Sequence, residues 1–381
     1  MIESQAAGPQ QATVIRGVFW GTLGDVTDKN IPSRPPVPAR PTVSGKPPAI
    51  LLHGVPDNQM GRQRFVAWDK PPQIIMQGTA SFLTQMREPP LRFKSVTLGG
   101  RQRFSPEVAK LPSVNFMADA DRYGLALRQA QELVKAMGTP CFNHPSAVLA
   151  TTRDGVARAL DGVGGLLVPR TVRVTVNTLA QLKAAKEAAG IRFPVIVRLA
   201  GDHGGVSTAR VNDEGDWEAL NPLGWGGRPI YLTQFVDYAD ADGRYRKLRL
   251  VVVGGQVFAR HQIVSDNWLV HRRDRALGSD AEEQAFMESF DAVHKPRLLP
   301  MVQAVAKRLG LDYFGMDVSL RPDGSVLLFE ANATMNLLSA TTDEGPAWTA
   351  AVKAATEALY ALLGRPQSWR GPPAQIAGRA A

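Results

Sequence analysis

The sequence predicts a mixed α/β (α+β) protein with more than one domain, and three features of the chain carry this prediction. Its 381 residues are long for a single domain, and 44% of them are hydrophobic, which is enough to form buried cores. Short apolar runs typical of strands alternate with segments of helical spacing. Near the C-terminus, two apolar runs flank Pro322-Asp323-Gly324, a turn signal that adds an antiparallel hairpin.

Several classes of protein are excluded by composition. No apolar run approaches the roughly 18 residues of a membrane-spanning helix. The first residues, Met1–Gln11, lack the basic and apolar regions of a secretory signal. A single cysteine, Cys141, excludes a disulfide framework and an all-thiolate metal site. We therefore expect a cytoplasmic globular protein with no membrane partner.

The positive charge of the chain does not predict a nucleic-acid partner. The formal net charge is +9, and residues 1–140 hold 17 Lys and Arg against 10 Asp and Glu. These positive charges are scattered, without long basic blocks or interleaved aromatic residues, so a solvated basic surface is the simpler interpretation. A denser basic cluster lies at residues 244–275, where only Asp266 and Asp274 are acidic.

The first 140 residues predict one α/β domain. Residues 31–48 are rich in proline without a repeat, which is typical of an extended surface segment. Residues 49–52 then read as a buried strand that ends at His53-Gly54. Helical spacing of apolar residues over Leu125–Met137 predicts an amphipathic helix.

The remainder of the chain shows regular alternation of elements. Helices are predicted over Thr152–Leu160, Leu179–Ala189 and Leu298–Leu309. Strands are predicted over Val172–Val176, Pro194–Arg198, Ile230–Asp237, Leu248–Val253, Gln256–His261, Phe314–Leu320 and Ser325–Ala331. After Leu363 the composition turns to Gly, Pro and Ala, so residues 365–381 predict a loose tail.

Two acids and an amide near the C-terminus form the strongest candidate site. Glu330 and Asn332 lie two apart, so they share one face of a strand. A two- or four-residue hairpin loop would place Asp317 opposite Glu330 on that face, whereas a three-residue loop would place it on the other face. Oxygen ligands of this kind suit Mg²⁺. Ordinary solvent-facing acids are the alternative, but Glu330 ends an apolar run, where an unpartnered charge is costly.

Two further features favour an anionic ligand. Arg198 ends a strand and is followed by a Gly-rich loop with a hydroxyl residue, which can surround phosphates with backbone N–H groups. Arg249 and Arg260 lie at the ends of two strands joined at Gly254-Gly255, and fixed guanidinium groups there suit a phosphoryl group. Each feature alone also has a simpler interpretation: the Gly-rich loop only turns the chain, and the two arginines belong to a salt-bridged sheet surface.

Residues 140–345 resemble the ATP-grasp superfamily of carboxylate–amine ligases in the chain order of these features. The strand with Arg198 and its Gly-rich loop comes first, the hairpin with Arg249 and Arg260 follows, and the hairpin with the two acids and the amide comes last. The tracts Asp242–Arg249, Leu309–Tyr313 and Phe329–Met335 resemble the ATP-grasp module of bacterial tetratricopeptide-repeat proteins, which is related to ribosomal-protein glutamate ligases and glutathione synthetases. The resemblance implies two α+β lobes that clasp ATP, a small lobe over 141–230 and a large lobe over 231–364, behind the N-terminal domain.

The resemblance also implies roles for individual residues. Asp317, Glu330 and Asn332 match the ligands of Mg²⁺, for which Mn²⁺ is an alternative. Arg249 and Arg260 match catalytic cations near the transferred phosphoryl group. The residues that match nucleotide-binding positions are Arg170, Arg198, Gly204, Gly205, Ser207, Gln234, Phe235 and Val236.

One departure from the family pattern opens a second hypothesis. Gly155 stands where many members have a phosphate-binding lysine, and Arg153 or Arg170 is a candidate replacement. The resemblance implies an ADP-forming ligase that joins a small-molecule or peptide carboxylate to an amine, with a homodimer as an open alternative. A nucleotide-binding protein without turnover is the second hypothesis. An α/β-hydrolase is rejected because the sequence contains no G-x-S-x-G elbow.

Overall fold

The computed structural model describes residues 45–64, 73–80, 82, 88–99, 110–203, 205–339 and 345–373. Most of the predicted Pro-rich segment 31–48 therefore lies outside the described residues. Helices and both parallel and antiparallel sheets are present, which confirms the mixed α/β class. None of the helices within these ranges is long and apolar enough to cross a membrane.

The elements follow the predicted alternation of strands and helices. The strands are β1 (Pro48–Gly54), β2 (Arg62–Arg64), β3 (Gln73–Ile75), β4 (Arg92–Leu98), β5 (Ser113–Asn115), β6 (Cys141–Phe142), β7 (Leu166–Leu167), β8 (Thr171–Thr175), β9 (Val195–Leu199), β10 (Thr208–Val211), β11 (Pro229–Gln234), β12 (Tyr245–Val253), β13 (Gln256–Ser265), β14 (Tyr313–Leu320) and β15 (Val326–Asn332). The α-helices are α1 (Gly124–Met137), α2 (Pro145–Leu149), α3 (Arg153–Leu160), α4 (Leu179–Ala188), α5 (Asp280–Ser289), α6 (Lys295–Leu309) and α7 (Pro346–Leu363).

The N-terminal domain is built on a parallel sheet in the order β4-β1-β5-β6. Helix α1 packs on it through Ala126, Leu127 and Ala130, which are fully buried. The sheet takes its last strand, Cys141–Phe142, from beyond the predicted boundary at residue 140. The domain therefore extends slightly further than the sequence predicts.

The small lobe, defined here by the antiparallel sheet β10-β9-β11-β8, encloses a core of its own. Leu182 of α4 packs against Val195, Val197 and Ile230 from the strands. The predicted boundary at residue 230 is wrong, because Pro229–Gln234 pairs with both β8 and β9 inside this sheet. The connection to the large lobe therefore begins after Gln234.

The large lobe, defined here by the sheet β13-β12-β14-β15-β7, packs with α6 in a core that also includes residues of the N-terminal domain and of α3. Strands β12 and β13 are joined by Gly254-Gly255, as the sequence predicts, and both glycines have positive φ angles, 58° and 90°. Such angles suit the tight turns of two-residue hairpins. The strands of this lobe carry Arg249, Asp317, Glu330 and Asn332 of the candidate site.

Asn143 joins the N-terminal domain to the large lobe. Its Oδ1 accepts hydrogen bonds from the backbone N–H groups of Asp312 and Tyr313 at 2.8 and 3.0 Å, and its Nδ2 donates to Tyr313 O at 2.8 Å. The residue is 1% exposed and adopts a φ of 48°. Asparagine tolerates this left-handed conformation better than most residues. The side chain thus satisfies three buried backbone groups at the start of β14 in the large lobe.

Replacing Asn143 with Ala is expected to lower the free energy of unfolding by about 3–5 kcal/mol, because buried partners lose their hydrogen bonds and alanine is strained at positive φ. Asn143→Gly is the matched control, since it loses the same hydrogen bonds without the strain and should be about 1 kcal/mol less destabilised. Urea unfolding measures both. Equal stability of either variant and the wild type would contradict this role of Asn143.

The predicted loose tail is wrong for its first residues. Trp369 is only 8% exposed, its Nε1 donates to Leu362 O at 2.8 Å, and its ring meets Phe142 edge to face at 5.5 Å. The backbone N–H of Arg370 donates to Asp312 Oδ1 at 2.6 Å. A single tryptophan with a buried partner therefore fixes a segment whose Gly and Pro content suggested a free tail. Residues 374–381 lie outside the described residues.

Candidate functional site

A cavity of about 900 Å³ lies between the small and large lobes, with the N-terminal domain at one end. Its walls come from β9 and β11 of the small lobe, from β12, β14 and β15 of the large lobe, and from the start of α3. Its charged and amide side chains include Arg153, Arg198, Lys247, Arg249, Asp317, Glu330 and Asn332. The chain thus gathers cations and carboxylates in one cleft.

Asp317 lies directly opposite Glu330, but the hairpin reaches this register without the two- or four-residue loop that the sequence analysis required for it. Leu320 pairs with Val326, and the turn closes with three residues, 322–324, between Arg321 N and Ser325 O, 2.9 Å apart. This odd loop alone would have placed the two acids on opposite faces. The register shifts between Asp317 and Val318, where Phe329 is an extra residue in β15. This bulge returns both acids to one face.

Arg249 holds the carboxylate of Asp317 from the neighbouring strand. Arg249 Nε and Nη2 donate to the two oxygens of Asp317 at 2.7 and 2.8 Å, and Lys247 Nζ lies 3.7 Å from Oδ2. Burial raises the pKa of Asp317, but the charges of Arg249 and Lys247 outweigh it and hold the pKa below its usual value. Asp317 is therefore an anion at neutral pH.

Arg153 holds the other carboxylate. Its Nη2 donates to Glu330 Oε2, and its Nη1 donates to Phe329 O at 3.2 Å. Burial raises the pKa of Glu330, while Arg153 and Arg198 lower it, and the net shift is downward. Arg153 is the first residue of α3, and the Thr152 hydroxyl caps this helix by accepting from Gly155 N. The helix start therefore directs Arg153 across the cleft to the hairpin.

Gly155 explains why Arg153, and not a lysine two residues later, faces the cavity. A Cβ at position 155 would lie 2.4 Å from Ala150 O and 2.8 Å from Thr152 Oγ1. The backbone as it stands has no room for any side chain there. The predicted alternative, Arg170, is misplaced for the role: its Nη1 donates to Ala189 O at 2.8 Å, and the residue does not line the cavity.

Asn332 is the third of the predicted oxygen ligands. It lies opposite Gly315, two residues along from Glu330, and its Oδ1 accepts from Thr334 N at 3.0 Å and from Thr334 Oγ1 at 2.7 Å. Within the described ranges, no three or more His, Cys, Asp and Glu side chains come together as a metal site. A metal here would rest on two carboxylates, one amide oxygen and oxygens from a ligand. This donor set fits Mg²⁺.

The Gly-rich loop borders the same cavity at Gly205, while the predicted residue Gly204 lies outside the described residues. Ser207, also predicted in this loop, is only 7% exposed and does not line the cavity. Arg198 does line it and donates to Asp202 O at 2.9 Å. Burial and then the neighbouring Arg153 lower the pKa of Arg198 to about 10, so it stays charged at neutral pH.

The segment Gln234–Val236 forms the wall between the lobes. Phe235 N donates to Pro194 O at 3.1 Å, and the Gln234 side chain donates to Phe235 O at 3.1 Å. The Gln234 side chain therefore braces the backbone of this segment. The Phe235 ring meets Trp268 edge to face at 5.7 Å, and the Arg210 guanidinium lies 4.8 Å from its centre. Phe235 and Trp268 border the cavity where the two lobes meet.

Arg260, predicted beside Arg249, does not line the cavity. The register between β12 and β13 shifts after Arg249, so that Arg249 pairs with His261 and Leu250 with Ala259, which leaves Arg260 as the extra residue. Its Nη2 donates to Ser339 O. The bulge therefore turns Arg260 away from the face that carries Arg249.

Sequence reasoning missed the contribution of the N-terminal domain. Arg122 lines the cavity, and its Nε donates to Gly201 O at 2.7 Å. His203 Nε2 lies 2.8 Å from Asp119 Oδ2. Both contacts join the N-terminal domain to the Gly-rich loop. Because about 80 residues separate the partners, no local pattern could indicate these contacts.

Comparisons with known proteins find matches among solved structures alone, since no family model and no curated protein matches the sequence. A D-alanine–D-alanine ligase from Bacillus anthracis is 12% identical, with 84% of this chain and 97% of that chain covered and a TM-score of 0.47. The carboxyaminoimidazole ribonucleotide synthase of Aspergillus clavatus, complexed with ATP, is 15% identical, with 82% and 77% covered and a TM-score of 0.46. A RimK domain ATP-grasp protein from Sphaerobacter thermophilus is 18% identical, with 71% and 90% covered and a TM-score of 0.43.

Proposed function

We propose that this chain is an ATP-grasp enzyme that joins a carboxylate to an amine through an acyl phosphate and releases ADP and phosphate. One observation carries the proposal: Asp317, Glu330 and Asn332 meet on one face of a hairpin, inside a cavity that Arg153, Arg198, Lys247 and Arg249 also line. A triphosphate and a divalent ion need this combination of cations and oxygen ligands.

The chain contributes positioning and charge to this reaction. A carboxylate oxygen of the substrate attacks the γ-phosphorus of ATP and ADP leaves; the amine then attacks the acyl carbon, loses a proton and expels phosphate. Arg249 and Arg198 stabilise the negative charge that is transferred. Asp317, Glu330 and Asn332 would hold Mg²⁺, which neutralises phosphate oxygens when bound. The segment Gln234–Val236 offers backbone groups to the adenine edge.

The acid–amine pair is proposed as a small molecule or a peptide, as in the subgroup that the sequence resembles. A nucleotide-binding protein without turnover is the second candidate, favoured by the blocked side-chain position at Gly155 and by the ion pairing of both carboxylates. Calorimetry with ATP, combined with a phosphate-release assay over a panel of acids and amines, separates the two. ATP binding without release supports the second candidate. Absence of ATP binding contradicts both.

Two arginines provide a matched test of the nucleotide site. Arg153→Met is expected to weaken ATP binding by roughly 10- to 150-fold, because a charged hydrogen-bond donor to phosphate is worth about 1.5–3 kcal/mol. Arg170→Met should leave the affinity within about twofold, because its side chain contacts Ala189 outside the cavity. Calorimetry measures both. Equal losses of ATP affinity in the two variants would contradict a direct contact between Arg153 and the nucleotide.

A further inference from the structure

Both carboxylates of the proposed metal site already have an arginine partner from this chain. Asp317 receives two parallel hydrogen bonds from Arg249, at 2.7 and 2.8 Å. Glu330 receives one from Arg153. The side chains of the two acids are 5% and 17% exposed. Buried carboxylates need such opposite charges close by, so the arginines serve the free protein as counter-ions.

A divalent cation and these guanidinium groups compete for the same oxygens. Each guanidinium carries a full positive charge into hydrogen-bonding range of the carboxylate. A metal ion bound there without other ligands would lie beside that charge and be repelled by it. While both arginines remain in place, the carboxylates therefore favour the guanidinium groups over a divalent cation.

A polyphosphate changes this balance. Guanidinium groups bind phosphate oxygens in the same two-pronged way as they bind carboxylates. The cavity that Arg153 and Arg249 line also holds Arg198 and Lys247, so a triphosphate within it offers the arginines new anionic partners. The carboxylate oxygens would then be available to a cation that the phosphates help to bind.

We propose that Arg153 and Arg249 occupy the metal site as resident counter-cations, so that the free protein binds divalent cations weakly and nucleotide binding makes the site available. This coupling rests on the proposed function. It is reciprocal: the metal must strengthen nucleotide binding by the same factor.

Arg153 is the better of the two for a test. Glu330 keeps some exposure to the cavity when Arg153 is removed, whereas Asp317 is more deeply buried. Arg273 is a suitable control because it lines the same cavity but forms its ion pair with Asp274, at 3.8 Å, and has no ion pair with Asp317 or Glu330 among the described residues. Its replacement removes the same formal charge from the cavity lining as Arg153→Met.

The experiment titrates Mn²⁺ into the full chain without nucleotide and follows free Mn²⁺ by electron paramagnetic resonance. We expect Arg153→Met to bind Mn²⁺ about tenfold more tightly than the wild type, within the usual range of coupling between two sites. Arg273→Met should bind it as the wild type does, within about twofold. Arg153→Met combined with Glu330→Gln should lose the gain, which assigns the gain to Glu330. Thermal unfolding of each variant verifies that it folds.

A second titration adds a non-hydrolysable ATP analogue. The analogue should strengthen Mn²⁺ binding more in the wild type than in Arg153→Met. Unchanged Mn²⁺ affinity in Arg153→Met, or an equal gain in Arg273→Met, would overturn the counter-cation role even if ATP binds normally. Absence of analogue binding to the wild type would overturn the proposed function instead, and a nucleotide-free gain in Arg153→Met would still support the counter-cation role.

Discussion

Glu330→Gln is expected to reduce Mg²⁺-dependent phosphate release by about 10²- to 10³-fold in kcat. Glu330 would bind the metal and faces the cavity directly opposite Asp317. Losing its charge removes stabilisation that the reaction needs most in the transition state, and single electrostatic groups of this kind contribute losses of that size. Glutamine keeps the shape of the side chain and can still accept a hydrogen bond from Arg153. The fold should therefore survive, and a phosphate-release assay measures the effect.

The control for this variant is Glu357→Gln, which makes the same change on an exposed side chain of α7. It should release phosphate at the wild-type rate. Turnover by Glu330→Gln within about threefold of the wild type would contradict the assignment of Glu330 to the metal site. Lost turnover with unchanged ATP affinity would place the effect on the chemical step.

The hairpin shows how far the sequence alone can predict this site. Alternation along a strand was enough to place Glu330 and Asn332 on one face, because side chains in strands repeat every two residues. Their alignment with Asp317 depended on the loop length, which the sequence left open between an even and an odd number of residues. The three-residue loop and the bulge at Phe329 each change the parity, and together they restore the predicted pairing. Bulges leave no clear signal in a single sequence.

The contacts that the sequence could not predict are those between distant segments. Arg153 meets Glu330 across 177 positions, and its α3 helix start looks like any other capped helix. Arg170 and Arg153 were equal candidates because both are cations near a predicted element, and only the direction of each side chain separates them. The predicted placement of Arg260 beside Arg249 depended on register in a related way. The extra residue in β13 puts Arg260 on a different face of the sheet from Arg249. Side-chain direction follows from register, which composition does not fix.

Breaking the Arg249–Asp317 pair should strongly destabilise the large lobe. The pair joins β12 to β14 through two hydrogen bonds, and Asp317 is 5% exposed. Arg249→Met leaves a buried carboxylate whose remaining ion pair among the described residues is with Lys247, at 3.7 Å. Asp317→Leu leaves the Arg249 guanidinium without the carboxylate that accepts two of its hydrogen bonds. Each single change should lower the free energy of unfolding by about 3–5 kcal/mol, which urea unfolding measures.

The double variant, with Arg249→Met and Asp317→Leu together, should recover most of that loss, because two apolar side chains replace two buried charges. Arg158→Met is the comparison: its ion pair with Asp154 is as short, 2.7 Å, but Arg158 is 70% exposed, so the change should be within about 1 kcal/mol. Additive single effects would contradict a direct coupling between Arg249 and Asp317. A double variant that is as stable as the wild type but releases no phosphate would assign this charge pair to the reaction, because the sheet would then have no need of it for stability.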